Sequence, residues 1–328
     1  MRFSIRRRQI MMAASASACA LPLAVRAQAG WPGKPVNMIV PFPAGGGTDA
    51  FARPLAAQFS KLTGQTLVID NRGGAGGTLG ASVAAKLPGD GYHLFMGGAH
   101  HMVAPSMYPR LDYDIEKDFV PLIQVASVPQ VLVVNPKRVP QATAKELIEH
   151  LRRNPGKMNY ASAGAGSVHH LAGELFKIQT RTFITHIPYR GAGPALQDLI
   201  AGTVDMAFDG LGSSAGHIAG GRIKALMVAG DKRNPAIPDV PSAAEVGLPD
   251  YKVSTWYGIW APKGMPADAQ AAAIEAIRRS VQADEAKAVW DKQGAACPNV
   301  AGPQFAQLIH GEIRKWAEVV KASGAKLE

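Results

Sequence analysis

Short apolar runs alternate with amphipathic stretches along most of the chain. The runs at residues 36–40 and 67–70 have the length of buried strands, and a glycine-rich segment follows each of them. In the amphipathic stretch at residues 50–61, Phe51 and Phe59 belong to a set of apolar residues at three-to-four spacing, which is typical of one helix face. This alternation of strand and helix patterns predicts an α/β fold.

The same patterns predict the remaining elements in chain order. Further strands are predicted at residues 93–96, 131–134, 158–161, 185–187, 206–208 and 223–228. Further helices are predicted at residues 78–86, 143–153, 167–179 and 193–201. From Pro266 onward the pattern is helical only, with helices at residues 267–282, 285–292 and 303–320. The chain therefore ends in a helical tail that has no strands.

A chain of 328 residues is long enough for two cores of ordinary size, so two lobes are expected. The helical tail cannot form a sheet of its own, and we expect it to pack on the first lobe. The predicted division is residues 28–128 with 252–328 as a discontinuous lobe 1, and residues 129–251 as lobe 2.

The N-terminus has the three parts of a secretory signal peptide. Four arginines between Arg2 and Arg8 precede an apolar, alanine-rich run, and the run ends in Val25-Arg26-Ala27. Pro22 interrupts this run, which is shorter than the roughly 20 apolar residues of a membrane span. We therefore expect export to the periplasm with cleavage near Ala27. Residues 7–11 also resemble a twin-arginine signal, so the export route stays open.

Most of the formal charge of +10 does not belong to the exported part. Residues 1–27 contain five arginines and no acidic residue, so their removal lowers Lys+Arg from 35 to 30 against 25 Asp+Glu and leaves +5. A nucleic-acid partner is therefore not expected. Cys297 is the one cysteine that remains, so the mature chain cannot form an internal disulfide and depends on burial for its stability.

Three predicted strand-to-helix junctions, at residues 43–49, 71–78 and 162–167, are rich in glycine. Glycine lets a ligand approach the main chain, and a helix N-terminus offers unpaired N–H groups and a positive dipole end. In doubly wound sheets such loops converge beyond the carboxyl ends of the strands. The three loops together predict an anion site. The alternative is that each loop is a tight turn before a capped helix.

Two enzyme motifs compete for some of these residues. Residues 45–50 fit the dinucleotide pattern G-x-G-x-x-A, and Asp70 follows at a suitable spacing, but export argues against a nicotinamide cofactor. Residues 212–216 fit the pattern G-x-S-x-G around Ser214, with His310 downstream, but no His-Gly-Gly segment precedes them to supply an oxyanion hole. No enzyme activity is expected, and an exported serine hydrolase is kept as the alternative.

Two adjacent histidine pairs, His100-His101 and His169-His170, invite a metal interpretation. Neighbours in sequence point in different directions, and no nearby carboxylate or thiol completes a ligand set. We expect one histidine of each pair in a binding site, with no metal and no cofactor.

In its motifs and their order the chain resembles the periplasmic receptors of tripartite tricarboxylate transporters, the Bug-type receptors. The similarity extends essentially from end to end and depends on several motifs in the right order. These motifs are Trp31-Pro32-x-Lys34-Pro35, Pro41-Phe42-Pro43-Ala44-Gly45-Gly46-Gly47-Thr48-Asp49, Asn71-Arg72-Gly73-Gly74-Ala75-Gly76-Gly77, Tyr160-Ala161-Ser162, Gly166-Ser167, His170-Leu171-Ala172-Gly173-Glu174, Pro188-Tyr189-Arg190-Gly191, Pro194-Ala195 and Phe208-Asp209.

The resemblance implies a two-lobed periplasmic-binding-protein fold of type II, the Venus-flytrap architecture, with the ligand in the interlobe cleft. It also implies that the first two glycine loops hold a ligand carboxylate through main-chain groups and ordered water. The residues carried over are Ala44, Gly45, Gly46, Thr48 and Asp49 from one loop, Asn71, Gly74 and Ala75 from the other, and Ser162, Gly166, Ser167, His170, Tyr189, Arg190 and Asp209 from lobe 2. Thr48 and Asp49 could instead cap a helix, and Arg190 could instead form a surface ion pair.

His100 departs from the family pattern, which has a Ser/Thr/Asn-rich loop before a single histidine. We interpret residues 97–101 as a loop in which His100 either extends selectivity to a second ligand group or is simply tolerated. The expected function is capture of a small carboxylate by a monomeric receptor, followed by delivery to the membrane permease subunits. A sensory protein that presents its ligand to a membrane kinase stays open, and so does the identity of the carboxylate.

Overall fold

The computed structural model describes residues 30–323, so the predicted signal peptide lies outside the described residues. This range contains nine β-strands and ten α-helices. The strands are β1 Val36–Val40, β2 Leu67–Asn71, β3 His93–Gly98, β4 Phe119–Val134, β5 Asn159–Ser162, β6 Thr185–Pro188, β7 Met206–Gly210, β8 Lys224–Val228 and β9 Ser254–Pro262. The helices are α1 Gly47–Thr63, α2 Thr78–Ala85, α3 Ala99–Met107, α4 Ala144–Arg153, α5 Val168–Thr180, α6 Ala192–Ala201, α7 Leu211–Ala219, α8 Ala267–Gln282, α9 Asp284–Lys292 and α10 Gly302–Ser323.

The strands form one curled sheet in the order β2-β1-β3-β9-β4-β7-β5-β6, with β8 on the other side of β4. Strand β4 belongs to both halves of this sheet. Its residues 119–129 pair with β9, whereas residues 130–134 pair with β7 and β8. The sheet therefore has two halves that are joined through one long strand, and each half belongs to one lobe.

The strand directions place one end of each half at the same cleft. Strands β1, β2 and β3 are parallel to one another, and β9 runs antiparallel to both β3 and β4. Strands β1, β2 and β3 therefore run in the same direction as β4. Strands β5, β6 and β7 are parallel to one another and run against β4. The carboxyl ends of the two sets therefore point towards each other, and the loops and helix N-termini that follow them meet between the lobes.

Helices cover both faces of each half-sheet, as the alternating pattern predicted. In lobe 1 the outer face of the sheet buries Phe51 and Phe59 of α1 together with Trp290 of α9. In lobe 2 one face buries Leu196 and Leu199 of α6. A third and largest cluster continues through both lobes on the remaining face of the sheet. Within residues 30–323 no helix has both the length and the apolar composition needed to cross a bilayer.

The helical tail packs mainly on the first half of the sheet. Helix α8 contacts α1 and β4, and α10 contacts α3 and β4. The fully buried Phe305 of α10 stacks against Trp256 and Trp260 of β9, with ring centroids 5.8 and 4.9 Å apart respectively. Gly258 lets this ring approach the strand, because a β-carbon at that position would collide with Phe305.

The predicted elements have the right type and order, with ends that agree to within three residues apart from the start of β4. Strand β9, helices α3 and α7, and the first two thirds of β4 were not predicted. The first two thirds of β4 contain Pro121 and Pro129, which argue against a strand in sequence. Strand β9 was not identified, although its composition is aromatic and apolar. The segment interpreted as a loop at residues 97–101 ends β3 and begins α3, so His100 lies in a helix and not in a loop.

We predict that Phe305→Ala lowers the free energy of unfolding by about 3–5 kcal/mol, because it removes a buried aromatic ring from a packed cluster. Urea unfolding of the chain without residues 1–27 measures the change. Gln307→Ala is the control, because this residue is exposed on the same helix, and its effect should stay within about 0.5 kcal/mol. Equal losses for both variants would contradict the packing described for α10.

Candidate functional site

A cavity lies between the two lobes, where the N-termini of α1, α3, α5 and α6 meet. The space has a volume of about 470 Å³, including the part that is open to solvent. The lining residues are Phe42, Pro43, Gly46, Gly47, Thr48, His100, Ala163, Ser167, Val168, His169, Gly191, Ala192, Gly193, Pro194, Thr255 and Tyr257. We call this space the main cavity.

Helices α1 and α6 both begin without a side-chain cap. Helix α1 starts after Gly46 and helix α6 after Gly191, and neither residue can offer a side-chain acceptor to the first N–H groups of its helix. Gly191 has φ of 133°, a conformation that L side chains rarely adopt. The two helices belong to different lobes, so two positive dipole ends with free N–H donors face one cavity from opposite sides.

Of the other two helices, α5 has a side-chain cap, whereas α3 follows Gly98 and has none. The Ser167 hydroxyl accepts from the His170 N–H at 3.2 Å at the start of α5. The His101 Nδ1 accepts from the Gly98 N–H at 3.2 Å before α3, and its Nε2 lies 3.3 Å from the Gly77 carbonyl. Burial lowers the pKa of His101 to about 4, so this ring is neutral at pH 7. The N-termini of α1, α3 and α6 therefore lack a side-chain cap, and α6 is the one among these three that belongs to lobe 2.

Asp49 holds the first glycine loop in place from within α1. Its Oδ2 accepts from the Gly45 N–H at 2.9 Å and from Arg53 at 2.7 Å, and its Oδ1 accepts from the Asn71 amide at 3.2 Å. Asn71 also donates to the Phe42 carbonyl at 2.9 Å, which ties the second loop to the first. Burial alone would raise the pKa of Asp49, but the bonds from Arg53, Gly45 and Asn71 outweigh burial and hold this pKa below its ordinary value of 3.8.

His169 of lobe 2 lines one wall of the main cavity, and a buried carboxyl group lies behind it. The His169 Nδ1 lies 3.3 Å from Oδ1 of the buried Asp209, whose Oδ2 accepts from the Ser213 hydroxyl at 2.6 Å. Burial lowers the pKa of His169 despite the nearby carboxylate, so the ring is neutral at pH 7. Burial raises the pKa of Asp209, and His169 opposes that rise.

His100 faces this wall from lobe 1. Its side chain is 5% exposed, packs edge-to-face on Phe42 with centroids 4.8 Å apart, and leaves its Nε2 without a hydrogen-bond partner. Burial, then His101 and His169, lower its pKa well below the ordinary value. Both histidines of the main cavity are thus neutral, and the lining contains no lysine or arginine.

A second recess adjoins the main cavity and shares Phe42 and Ala163 with it. It has a void volume of about 550 Å³ and is lined by Phe42, Gly74, Ala75, Gly76, Tyr108, Ala163, Gly164, Ala165, Pro188, Tyr189 and Arg190. The Tyr108 hydroxyl bridges the lobes there, because it donates to the Ala75 carbonyl at 2.6 Å and lies 3.3 Å from the Ala165 carbonyl. Arg190 is exposed and forms no ion pair with a residue in the described range.

The residues predicted from the sequence fall into three groups. Gly46, Thr48, His100 and Ser167 line the main cavity. The second recess contains Gly74, Ala75, Tyr189 and Arg190. The remaining residues line neither space, and these are Ala44, Gly45, Asp49, Asn71, Ser162, Gly166, His170 and Asp209.

Several residues in this third group support the loops from behind. The His170 Nδ1 accepts from the Gly166 N–H at 3.2 Å, and its ring stacks on His186 with centroids 4.1 Å apart. Ser162 contacts the His186 Nε2 at 2.6 Å and the Gly164 N–H at 3.1 Å. His170 is therefore a supporting residue, and its neighbour His169 is the histidine of this pair that lines the cavity.

The sequence interpretation missed three sets of lining residues. Residues 191–194 form a fourth glycine-containing strand-to-helix junction, and their composition could have indicated it. Thr255 and Tyr257 come from the unpredicted strand β9. His170 was proposed instead of His169, because the sequence does not show which of two neighbouring rings faces the cavity.

The enzyme alternatives do not fit this geometry. Ser214 is fully buried inside α7, where its hydroxyl donates to the Gly210 carbonyl at 3.1 Å. His310 lies on the surface, 3.1 Å from Glu116 and away from Ser214. Among residues 30–323 no group of three or more histidine, cysteine, aspartate or glutamate side chains could hold a metal ion.

Comparison with known proteins gives one consistent family. Residues 51–325 match the family model described as "Tripartite tricarboxylate transporter family receptor". The chain is 37% identical to protein BugT of Bordetella pertussis over 301 residues, which cover 91% of this chain and 92% of that protein.

Solved structures agree with this match. The chain resembles an R. palustris protein solved with adipate, with 35% identity, a TM-score of 0.87, and coverage of 90% of this chain and 100% of that one. It also resembles MatC from Rhodopseudomonas palustris with bound malate, with 34% identity, a TM-score of 0.83, and coverage of 88% and 100% respectively.

We predict that Asp49→Asn destabilises the protein at pH 7 by about 1.5–3 kcal/mol, because it removes a charged hydrogen-bond acceptor. The folded pKa of Asp49 is lowered, so its contribution is complete above the ordinary value of 3.8 and is lost as the pH falls through the folded pKa. The difference between wild type and variant in urea unfolding should therefore shrink below about pH 4. Asp239→Asn, on an exposed residue, is the control. A difference that does not change between pH 7 and pH 3 would contradict this role.

Proposed function

Because the chain belongs to the family of tripartite tricarboxylate transporter receptors, we propose that it captures a small carboxylate between its lobes and delivers it to the membrane permease of such a transporter. The observation that carries this proposal is the pair of helix N-termini, α1 and α6, that face the main cavity without side-chain caps. A carboxylate satisfies their free N–H groups and both positive dipole ends at once.

The lining of the main cavity supports main-chain recognition. No lysine or arginine lines this space, so an anion bound there depends on N–H donors and on the hydroxyl groups of Thr48 and Ser167. The Tyr257 hydroxyl lies so close to Gly47 that a β-carbon on this glycine would collide with it. The first residue of α1 can therefore carry no side chain, and it offers a ligand only its main-chain atoms. Relatives solved with adipate and malate are in keeping with a carboxylate ligand.

The residues proposed from the sequence then take distinct roles. Gly46, Thr48, His100 and Ser167 contact the ligand, together with Gly47 and Gly193, which the sequence did not single out. Ala44, Gly45, Asp49 and Asn71 shape the first loop. The remaining proposed residues act around the mouth of the cleft or behind the lobe 2 loop, and these are Gly74, Ala75, Tyr189, Arg190, Ser162, Gly166, His170 and Asp209.

Capture by closure requires two lobes that move as units, and we propose residues 28–128 with 252–328 as one and 129–251 as the other. The pairing of β4 changes at Gln130, which lies at this boundary. Its N–H donates to the Val253 carbonyl at 3.0 Å, and its carbonyl accepts from the Ala229 N–H at 2.8 Å. The first bond connects β4 with the segment at Val253, and these are the two segments that cross between the lobes. Small φ/ψ changes there would open the cleft.

The remaining parts of the proposal concern the setting of the protein. The chain is exported to the periplasm, loses residues 1–27 near Ala27, works as a monomer and catalyses no reaction. Its macromolecular partner is the permease of the transporter, not a nucleic acid. The lobes return the ligand unchanged when they open.

We predict that Gly193→Asp abolishes carboxylate binding, because it places a negative charge at the N-terminus of α6 where the ligand charge should lie. A β-carbon at this position would meet no atom closer than 3.9 Å, so the backbone leaves room for a substitution. Affinity for the best ligand from a screen of carboxylates should fall at least about 100-fold by calorimetry, since like charges at close range cost several kcal/mol.

Gly193→Asn is the matched control, because it has the same shape without the charge, and it should lose much less affinity. In the screen itself, a ligand at 100 times its dissociation constant adds about 2.7 kcal/mol of stability. If Asp and Asn weakened binding equally, the anion site would not lie at α6. If no carboxylate raised the melting temperature and a neutral or cationic compound did, the proposed function would be wrong.

A further inference from the structure

We propose that the main cavity selects ligands that carry a hydrogen-bond donor, such as a hydroxyl or ammonium group, in addition to one carboxylate, and that His169 held by Asp209 is the residue that recognises this donor. This inference rests on the proposed function and narrows its ligand class. Dicarboxylates of the same length should bind less well.

We assign the proton of His169 to Nδ1, the nitrogen that faces Asp209. Its Oδ2 accepts from the Ser213 hydroxyl at 2.6 Å, and its Oδ1 lies 3.3 Å from the His169 Nδ1. An acceptor at that position favours the tautomer with the proton on Nδ1, which leaves the lone pair on Nε2. No hydrogen bond in the described part of the chain uses this second nitrogen, and the ring lines the main cavity. His169 therefore offers an acceptor that only a donor can satisfy.

His100 adds an unpaired polar atom to the same region from the opposite lobe. Its ring is 95% buried and lines the main cavity, and its Nε2 has no hydrogen-bond partner. A buried polar group without a partner costs free energy, so a polar ligand group that completes this set gains affinity. The ring is neutral, since burial and the neighbouring His101 and His169 lower its pKa. His100 thus supplies no positive charge for a second carboxylate.

The charges around these rings disfavour a second anion. Asp209 lies directly behind His169, and neither lysine nor arginine lines the main cavity. One carboxylate is already matched by the N-termini of α1 and α6. A second carboxylate beside His169 would lie near Asp209 in a region of low dielectric constant, without a cation to offset the repulsion. A hydroxyl avoids this repulsion, and an ammonium group gains from the same carboxylate.

Calorimetry with a matched ligand series tests the proposal on the chain without residues 1–27. The probes are butanoate, 4-hydroxybutanoate, 4-aminobutanoate and succinate, with hexanoate, 6-hydroxyhexanoate, 6-aminohexanoate and adipate as longer counterparts. At the length that binds best, a hydroxy or amino acid should bind at least about 10-fold more tightly than both the plain acid and the dicarboxylate, the factor expected for one hydrogen bond of ordinary strength. The comparison of hydroxy with amino acids then identifies the donor.

Two substitutions locate the selectivity. His169→Phe keeps the ring but removes its nitrogens, and the ratio of hydroxy acid to plain acid affinity should fall to about 1. His169→Gln retains a hydrogen-bonding group and should keep part of the ratio. Asp209→Asn can donate to Nδ1 and so reverse the tautomer, which should shift preference from the hydroxy acid towards the dicarboxylate. Asp239→Asn is the matched surface control and should leave all ratios unchanged, and the melting temperature of each free variant reports its folding.

The outcomes separate this inference from the proposed function. Tighter binding of succinate or adipate than of the hydroxy acids by the wild type would overturn the inference and leave carboxylate capture intact. The inference would also be overturned, with carboxylate capture intact, if His169→Phe folded and kept the wild-type ratio of hydroxy acid to plain acid affinity. Failure of every carboxylate to bind the wild type would instead overturn the proposed function, and the inference with it.

Discussion

The proposed attraction between an anion and two opposed helix N-termini is the interaction on which the function of this structure depends. Helices α1 and α6 belong to different lobes, begin at glycines and direct uncapped N–H groups at one space. With the lobes closed, their positive ends repel each other unless a negative group lies between them. A carboxylate therefore does more than fill the cavity, because it supplies the favourable contact that links closure of the lobes to binding.

The sheet topology makes this arrangement possible. Strands β1 to β3 run with β4 and strands β5 to β7 run against it, so both sets end at the cleft. The lobes are joined at Gln130, and buried supports such as Asp49 and His170 hold the loops in shape from behind. Rigid loops on lobes that can move suit a receptor that must bind, close and release a ligand without chemical change.

Sequence patterns predicted the elements and two of the glycine loops that line the main cavity better than the individual contacts. Glycine loops after strands are readable because helix N-termini have a defined chemistry. Of the four helix N-termini that meet at the main cavity, those of α1 and α5 were identified this way. The choice between His169 and His170 was not readable, because it depends on the residue at which α5 begins and thus on which ring turns towards the cavity. Thr255 and Tyr257 lie far from the glycine loops in sequence, and only the antiparallel pairing of β9 with β3 and β4 brings them to the site.

Amide NMR of the isotope-labelled chain, titrated with its best carboxylate ligand, tests carboxylate capture most directly. We expect the N–H resonances of Gly47, Thr48, Ala192 and Gly193 to shift together and to saturate at one ligand concentration, because both helix N-termini bind the same anion. Shifts confined to one lobe, or centred on Arg190 and the second recess while those four amides stay unchanged, would contradict recognition by opposed helix N-termini.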